Sequence, residues 1–137
     1  MTAAIYTSPA TTAMTAFTAT LNGGTIAIYT GSQPVANAAL TGTQIVTLAL
    51  AATAFAAPTT TGSGNSTVVQ AAANAITPGT ATSTNNAGYF ALFRSTGATV
   101  ATGVCGTSGA DLNLSSLAIA NGAIVGNSSF LVQIPLY

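Results

Sequence analysis

Only two side chains in the 137 residues carry a charge at neutral pH, Arg94 and Asp111, and the chain has no histidine. Charged residues make up 1% of the sequence, against roughly 25% in a typical soluble domain. The hydrophobic fraction of 49% is ordinary, and Ala, Thr, Ser, Gly and Asn take the place of charged residues. Ordinary apolar content with zero net charge indicates a folded chain, because disordered chains combine low hydrophobicity with high net charge.

This composition excludes several classes of function. With no His, no Lys and one carboxylate, almost no group can transfer protons near neutral pH, and a Ser or Thr nucleophile would lack a base. Asp111 and Cys105 are too few ligands for a metal site. A single Arg cannot neutralise the phosphates of a nucleic acid. We therefore expect a protein that is not an enzyme, with no cofactor, no metal and no nucleic-acid partner.

The apolar segments are too short to predict a membrane span. The longest run, Ile45 to Ala57, is stopped by Pro58, and spanning a bilayer takes about 20 apolar residues. The N-terminus has neither a basic region nor a continuous apolar stretch, so we expect no signal peptide and synthesis in the cytoplasm. The lone Cys105 suits a reducing compartment and is interpreted as a small buried hydrophobe.

The lack of net charge predicts that the chain works inside an assembly. Free soluble proteins usually keep their net charge away from zero, because neutral surfaces tend to associate. Like charges on many identical copies would add up and repel. We therefore predict a homo-oligomer or a lattice-bound protein.

Residues 8–22 are predicted to form a helix, with Ser8 as the N-cap and Pro9 at the first helical position. Apolar residues recur at spacings of three and four on one face: Met14, Phe17 and Leu21. Asn22 and the two glycines after it provide the stop. The alternative is a strand that turns at Asn22-Gly23, because the frequent threonines lower helix propensity.

The rest of the chain has the texture of β-structure. Strands are predicted over residues 25–29, 44–50, 88–94, 99–105, 111–119 and 130–136, while residues 68–76 fit either a strand or a short helix. Residues 88–94 are apolar on both faces, which is typical of a central strand. Pro135 places the last strand at an edge, and residues 59–66 are expected to form a surface loop or hairpin tip.

These patterns predict a mainly β fold. We expect an antiparallel β-sandwich of about 7–8 short strands with one N-terminal helix. The chain should form a single domain over residues 1–137, with an N-terminal arm or helix over 1–24 and the sandwich over 25–137.

Arg94 and Asp111 form a candidate structural ion pair, within one chain or across a subunit boundary. The alternative is that each is a solvated residue, with Asp111 shaping a turn. An exposed pair contributes only about 0–1 kcal/mol, so a real pair need not matter much for stability. The strand prediction over residues 88–94 places Arg94 inside a strand and predicts that it is buried.

Four blocks of the sequence resemble a known family: TIAIYTGSQP (25–34), NAITPGTAT (74–82), AGYFALFRSTG (87–97) and GTSGADLNLSS (106–116). They are similar to small structural proteins of the capsid decoration or cement kind, encoded near the capsid genes of tailed bacteriophages and prophages. The resemblance covers roughly residues 20–135 and includes no catalytic motif. It implies a virion protein on the capsid surface whose partners are the major capsid protein and copies of itself.

Two other functions remain open at the level of sequence. The first is a tail, neck or fibre protein, where a receptor-binding role would expose aromatic residues, and the four candidates are Tyr6, Tyr29, Tyr89 and Tyr137. The second, more remote, is a glycan- or ice-binding module. Threonine is frequent, but no sustained short repeat of the kind found in solenoids runs through the chain.

Overall fold

A computed structural model describes residues 4–127 and 129–136, and within these ranges the chain is mainly β with one α-helix near the N-terminus, as predicted. The helix, α1, spans Thr7–Ala19. Twelve strands follow within the described ranges: β1 (Thr25–Tyr29), β2 (Gln44–Ala49), β3 (Thr59–Thr61), β4 (Val68–Ala72), β5 (Gly79–Thr80), β6 (Asn85–Asn86), β7 (Tyr89–Phe93), β8 (Thr99–Gly106), β9 (Leu112–Asn113), β10 (Ala118–Ile119), β11 (Ile124–Val125) and β12 (Leu131–Pro135). A single 3-10 turn, Gly64–Ser66, lies between β3 and β4.

The helix begins two residues earlier than predicted. Tyr6 is the N-cap and makes no side-chain capping bond, so the prediction of Ser8 as the N-cap is wrong. Ser8 lies inside the first turn, and the N–H of Ala10 donates to the carbonyl of Tyr6. The first N–H groups of a helix have no partner within it, so Pro9 is tolerated beyond the first position and does not fix where the helix starts.

The helix ends at Ala19, three residues before the predicted end at residue 22. Gly23 takes a positive φ of 66° in the turn that follows, a conformation that favours glycine. The predicted apolar face is confirmed, because the side chains on it turn away from solvent: Met14 and Leu21 are buried and Phe17 is half-buried.

Five strands form the larger sheet in the order β2-β1-β7-β8-β9. Strand β7 lies at its centre, paired antiparallel with β1 and β8, and its first four residues are buried. The prediction of a central strand is therefore confirmed. One face of the sheet belongs to the main core, where Phe90 and Leu92 of β7 lie opposite Ile28 and Ile26 of β1.

Arg94 lies outside β7, which ends at Phe93. It opens a tight turn in which its carbonyl accepts from the N–H of Gly97 at 2.9 Å and its own N–H donates to Ala98 at 2.9 Å. The side chain is exposed, so the prediction that Arg94 is buried within a strand is wrong. The hairpin needs four residues to reverse direction, and Arg94 is the first of them.

Three strands form a second sheet in the order β12-β4-β3. The ambiguous segment after residue 67 is a strand, β4, and β12 lies at an edge, as Pro135 predicted. The segment expected to be a loop includes β3, which pairs with β4. Alternate residues of the last segment turn inward: Phe130 and Leu136 are buried, and Val132 and Ile134 are half-buried.

The described ranges contain more strands than the predicted 7–8, and one pairing, β8 with β9, is parallel. Five of the strands are only two residues long and make small pairings: β5, β6, β9, β10 and β11. A two-residue strand shows no periodicity in sequence, which is why these pairings were not predicted. The prediction of one strand over residues 111–119 is wrong, because the segment contains two separate short strands, β9 and β10. Leu112 and Leu114 are both buried, as their alternation indicated, but only Leu112 lies in a strand.

One buried cluster of side chains joins the helix to the five-stranded sheet and to the three-stranded sheet. It includes Met14 of α1, Ile26 of β1, Val69 of β4 and Phe90 of β7. Among the described residues, no helix combines the length and the apolar character that crossing a bilayer requires.

Candidate interaction surface

The structure does not bring Arg94 and Asp111 together within one chain. The Asp111 carboxylate accepts the N–H of Val104 at 3.0 Å, and Val104 lies opposite Tyr89 at the start of β7. Arg94 comes directly after the other end of β7, five residues beyond Tyr89. At about 3.3 Å per residue, Arg94 lies roughly 16 Å from Tyr89 along the strand. A pair between two copies of the chain stays a prediction.

Asp111 instead helps to close the outer edge of β8. Because β9 pairs only with the last two residues of β8, the edge before them has no neighbouring strand. Asp111 accepts from the Val104 N–H on this edge, and the Gln33 amide donates to the Thr102 carbonyl at 3.1 Å and to its hydroxyl at 3.0 Å. The side chains of Asp111 and Gln33 thus bind backbone groups of Val104 and Thr102 that a neighbouring strand would otherwise bind.

Cys105 is a buried thiol with no sign of reactivity. It is 6% exposed on β8. Burial, and to a smaller extent the negative charge of Asp111, raises the pKa of the Cys105 thiol to about 12. A reactive cysteine needs the opposite, a lowered pKa that favours the thiolate. The interpretation of Cys105 as a small buried hydrophobe is confirmed.

The long connection between β1 and β2, residues 30–43, folds back over the second face of the larger sheet; we call it the strap. Gln33 of the strap reaches Thr102 on β8, and Thr41 reaches Tyr89 on β7. The Thr41 N–H donates to the Tyr89 hydroxyl oxygen at 3.0 Å, and the Tyr89 hydroxyl donates back to the Thr41 carbonyl. The strap therefore passes from β1 across β7 to β8 and returns to β2.

The Tyr29 ring lies beside this anchor. Its centroid is 5.2 Å from that of Tyr89, and the two planes are 14° apart, so the rings stack. Burial, together with the charge that Tyr89 would carry, raises the pKa of Tyr29. A raised pKa keeps the Tyr29 phenol neutral near physiological pH, and the stacked rings act as packing.

A cavity of about 470 Å³ lies between the strap and β8. None of its lining residues is titratable; they come from the strap and from the start of β8: Gln33, Pro34, Val35, Ala36, Asn37, Ala38, Leu40, Thr99, Val100, Ala101 and Thr102. Val35 on the strap is 80% exposed. This lining offers apolar contact and neutral hydrogen bonds, with no group that could perform acid–base catalysis.

Other large apolar side chains also project from the surface. Tyr6 at the N-cap of α1 is 82% exposed and Ile124 on β11 is 72% exposed. Of the four tyrosines considered for receptor binding, Tyr29 and Tyr89 stack beneath the strap, and Tyr137 lies outside the described residues. In the described part of the chain, no three His, Cys, Asp or Glu side chains are grouped as a metal site would require.

Comparison with known protein families, with curated proteins and with solved structures found no match.

Proposed function

We propose that this chain is a structural protein of a tailed-bacteriophage virion, a decoration or cement protein that binds the outside of the head and stabilises the junctions between capsomers. The observation that carries the proposal is the strap surface, where the exposed Val35 stands beside an uncharged cavity of about 470 Å³. Exposed apolar side chains grouped with a concave neutral surface are typical of a protein–protein contact.

The proposed partners are the major capsid protein and copies of the chain itself, with no part for nucleic acid or membrane. Burial of apolar area contributes about 25 cal/mol per Å², from which the cost of association is subtracted. Each copy would therefore bind modestly, and the lattice would hold through many simultaneous contacts.

The low charge has a consequence for attachment. Asp111 bonds Val104, which lies opposite the start of β7, and Arg94 follows the end of β7. The strap cavity has no charged residue in its lining. Contacts made by apolar and neutral polar groups are not screened by salt. Attachment to the particle should accordingly be insensitive to ionic strength.

We also propose that the two larger sheets are the layers of a β-sandwich. Support comes from the contact of Phe90 on β7 with Phe130, the residue before β12. Their ring centroids are 5.5 Å apart and their planes are 89° apart, an edge-to-face arrangement typical of packed cores. The two-residue pairings would then close the ends of the layers.

The test is to expose purified particles to sodium chloride from low to molar concentration and to measure the protein that remains bound. We expect full retention across the series. Release by salt alone would contradict the proposal. A neck or tail-tip location would show the same salt behaviour but only a handful or a few dozen copies per particle, so a copy number from a calibrated gel separates it from the head.

A further inference from the structure

Strand β12 presents an open hydrogen-bonding edge. At its two ends, the Phe130 carbonyl accepts from Ala73 and the Leu136 N–H donates to Thr67, so even-numbered residues face β4. Backbone groups alternate in direction along an antiparallel strand. The odd-numbered residues Leu131, Gln133 and Pro135 therefore turn their backbone groups away from β4, on the side where the sheet ends.

This edge carries almost none of the features that usually prevent one edge from pairing with another. Natural edge strands are protected by charged side chains, bulges or proline. The pairing of β12 with β4 is regular through all five residues, and none of the five is charged. Among the described residues, two groups limit pairing at the Pro135 end: Pro135 lacks an N–H, and the Ile5 N–H donates to the neighbouring Leu136 carbonyl at 3.3 Å. Towards the other end, Asp111 lines two small clefts together with Leu131 and Gln133.

We propose that β12 pairs antiparallel with β12 of a second copy of this chain, about a two-fold axis at Gln133. In this register the two Gln133 residues exchange two backbone hydrogen bonds. Each Leu131 N–H then donates to the Pro135 carbonyl of the other copy, which makes two more. Because Pro135 serves only as an acceptor there, its missing N–H does not prevent these four bonds.

The side chains match the same register. The Leu131 side chain is 48% exposed on the outer face and would cover the Pro135 ring of the other copy. The Gln133 side-chain amide already donates one N–H to the side-chain oxygen (Oε1) of Gln70 at 3.1 Å. Its second N–H and its own oxygen stay available, and two such amides across a two-fold axis complement each other, as in glutamine ladders.

This inference adds to the proposed function by naming the edge that joins copies, but it does not require a capsid. A pairing of five residues buries little area, so we expect a weak dimer that forms at high concentration. The test uses the isolated chain in solution, and its outcome leaves the retention of the protein on particles unaffected. The two proposals can therefore fail separately.

The experiment is analytical ultracentrifugation of the full chain over a concentration series, with the variant Gln133→Glu. At pH 7 two carboxylates would face each other across the axis, and like charges directly opposite in a sheet destabilise the pairing. We expect the dimer dissociation constant to rise about tenfold or more. Below about pH 4 the introduced carboxyl is neutral and association should return.

The matched control is Thr59→Glu, because Thr59 lies in the same cross-strand row as Gln70 and Gln133 but on the opposite edge of the sheet. It should associate like the unmodified chain. Circular dichroism checks the fold of both variants, and if Gln133→Glu fails to fold, Gln133→Pro removes the same outward N–H while keeping the bonds to β4. A chain that stays monomeric at every concentration, a Gln133→Glu variant that still dimerises at pH 7, or an equal loss in Thr59→Glu would overturn the proposal.

Discussion

The side chain of Tyr89 holds both backbone polar groups of Thr41: its oxygen accepts the Thr41 N–H at 3.0 Å and its hydroxyl donates to the Thr41 carbonyl. The two residues are 48 positions apart in the chain. Tyr89 is fully buried at the centre of the larger sheet. This contact holds the strap, which lines the cavity beside β8, against the sheet.

Replacing Tyr89 with Phe should destabilise the protein by about 1–3 kcal/mol, because both backbone groups of Thr41 lose their partner. Chemical denaturation measures the free energy of unfolding, and hydrogen exchange at Thr41 should become faster. The control is Tyr29→Phe, since the Tyr29 hydroxyl makes only an exposed bond of 3.3 Å to the Gln44 side chain. Equal losses in the two variants would contradict the role assigned to Tyr89.

Arg94 and Asp111 should behave independently in a double-mutant cycle on the monomer. Arg94→Gln should change the free energy of unfolding by less than about 0.5 kcal/mol, since its side chain is exposed in a turn. Asp111→Ala should cost about 0.5–1.5 kcal/mol, because the Val104 N–H loses its acceptor. A coupling energy above about 0.5 kcal/mol would show that the two charges interact after all.

Cys105 should make the protein less stable as the pH rises above about 8.5. The unfolded thiol ionises near pH 8.5, whereas the pKa of the folded thiol is raised to about 12 by burial. Between these values the unfolded chain binds fewer protons than the folded chain, so stability falls with increasing pH.

Unfolding midpoints in urea from pH 8 to pH 10 test this pH dependence. The variant Cys105→Ala should have a lower stability overall but a flatter dependence on pH over that range. A thiol reagent at pH 8 should react with the unmodified chain only after unfolding. Parallel slopes or rapid labelling of the folded protein would show that the thiol is accessible.

Val35→Asp should reduce the amount of the protein bound to particles, because a carboxylate would have to be buried at the strap surface. The matched control is Ile124→Asp, a similarly exposed side chain outside the strap. Occupancy is measured by gel densitometry on particles assembled with each variant. If Ile124→Asp lowers the occupancy and Val35→Asp does not, the attachment surface lies elsewhere.

Regular elements were predictable wherever periodicity was strong. Strand β1 spans Thr25–Tyr29, the same five residues that the alternating pattern predicted. Strand β7 was assigned to the centre of a sheet because it is apolar on both faces. The position of Pro135 in an edge strand followed from its missing N–H.

The candidate surface was not predictable in the same way. The strap is held by contacts of Gln33 with Thr102 and of Thr41 with Tyr89, which join residues 69 and 48 positions apart. No local pattern encodes such pairings. Arg94 was assigned to a strand because apolar residues precede it, whereas the hairpin turn needed that position. The acceptor role of Asp111 depends on β9 being too short to cover the edge of β8.

The central claim is that a chain with almost no charge is a structural part of a virion. The most direct measurement is the copy number and position of this protein in purified particles of the phage or prophage that encodes it, from a calibrated gel and a density map. We predict hundreds of copies on the outer surface of the head, with the strap facing the shell. Particles that contain none of this protein would contradict the account.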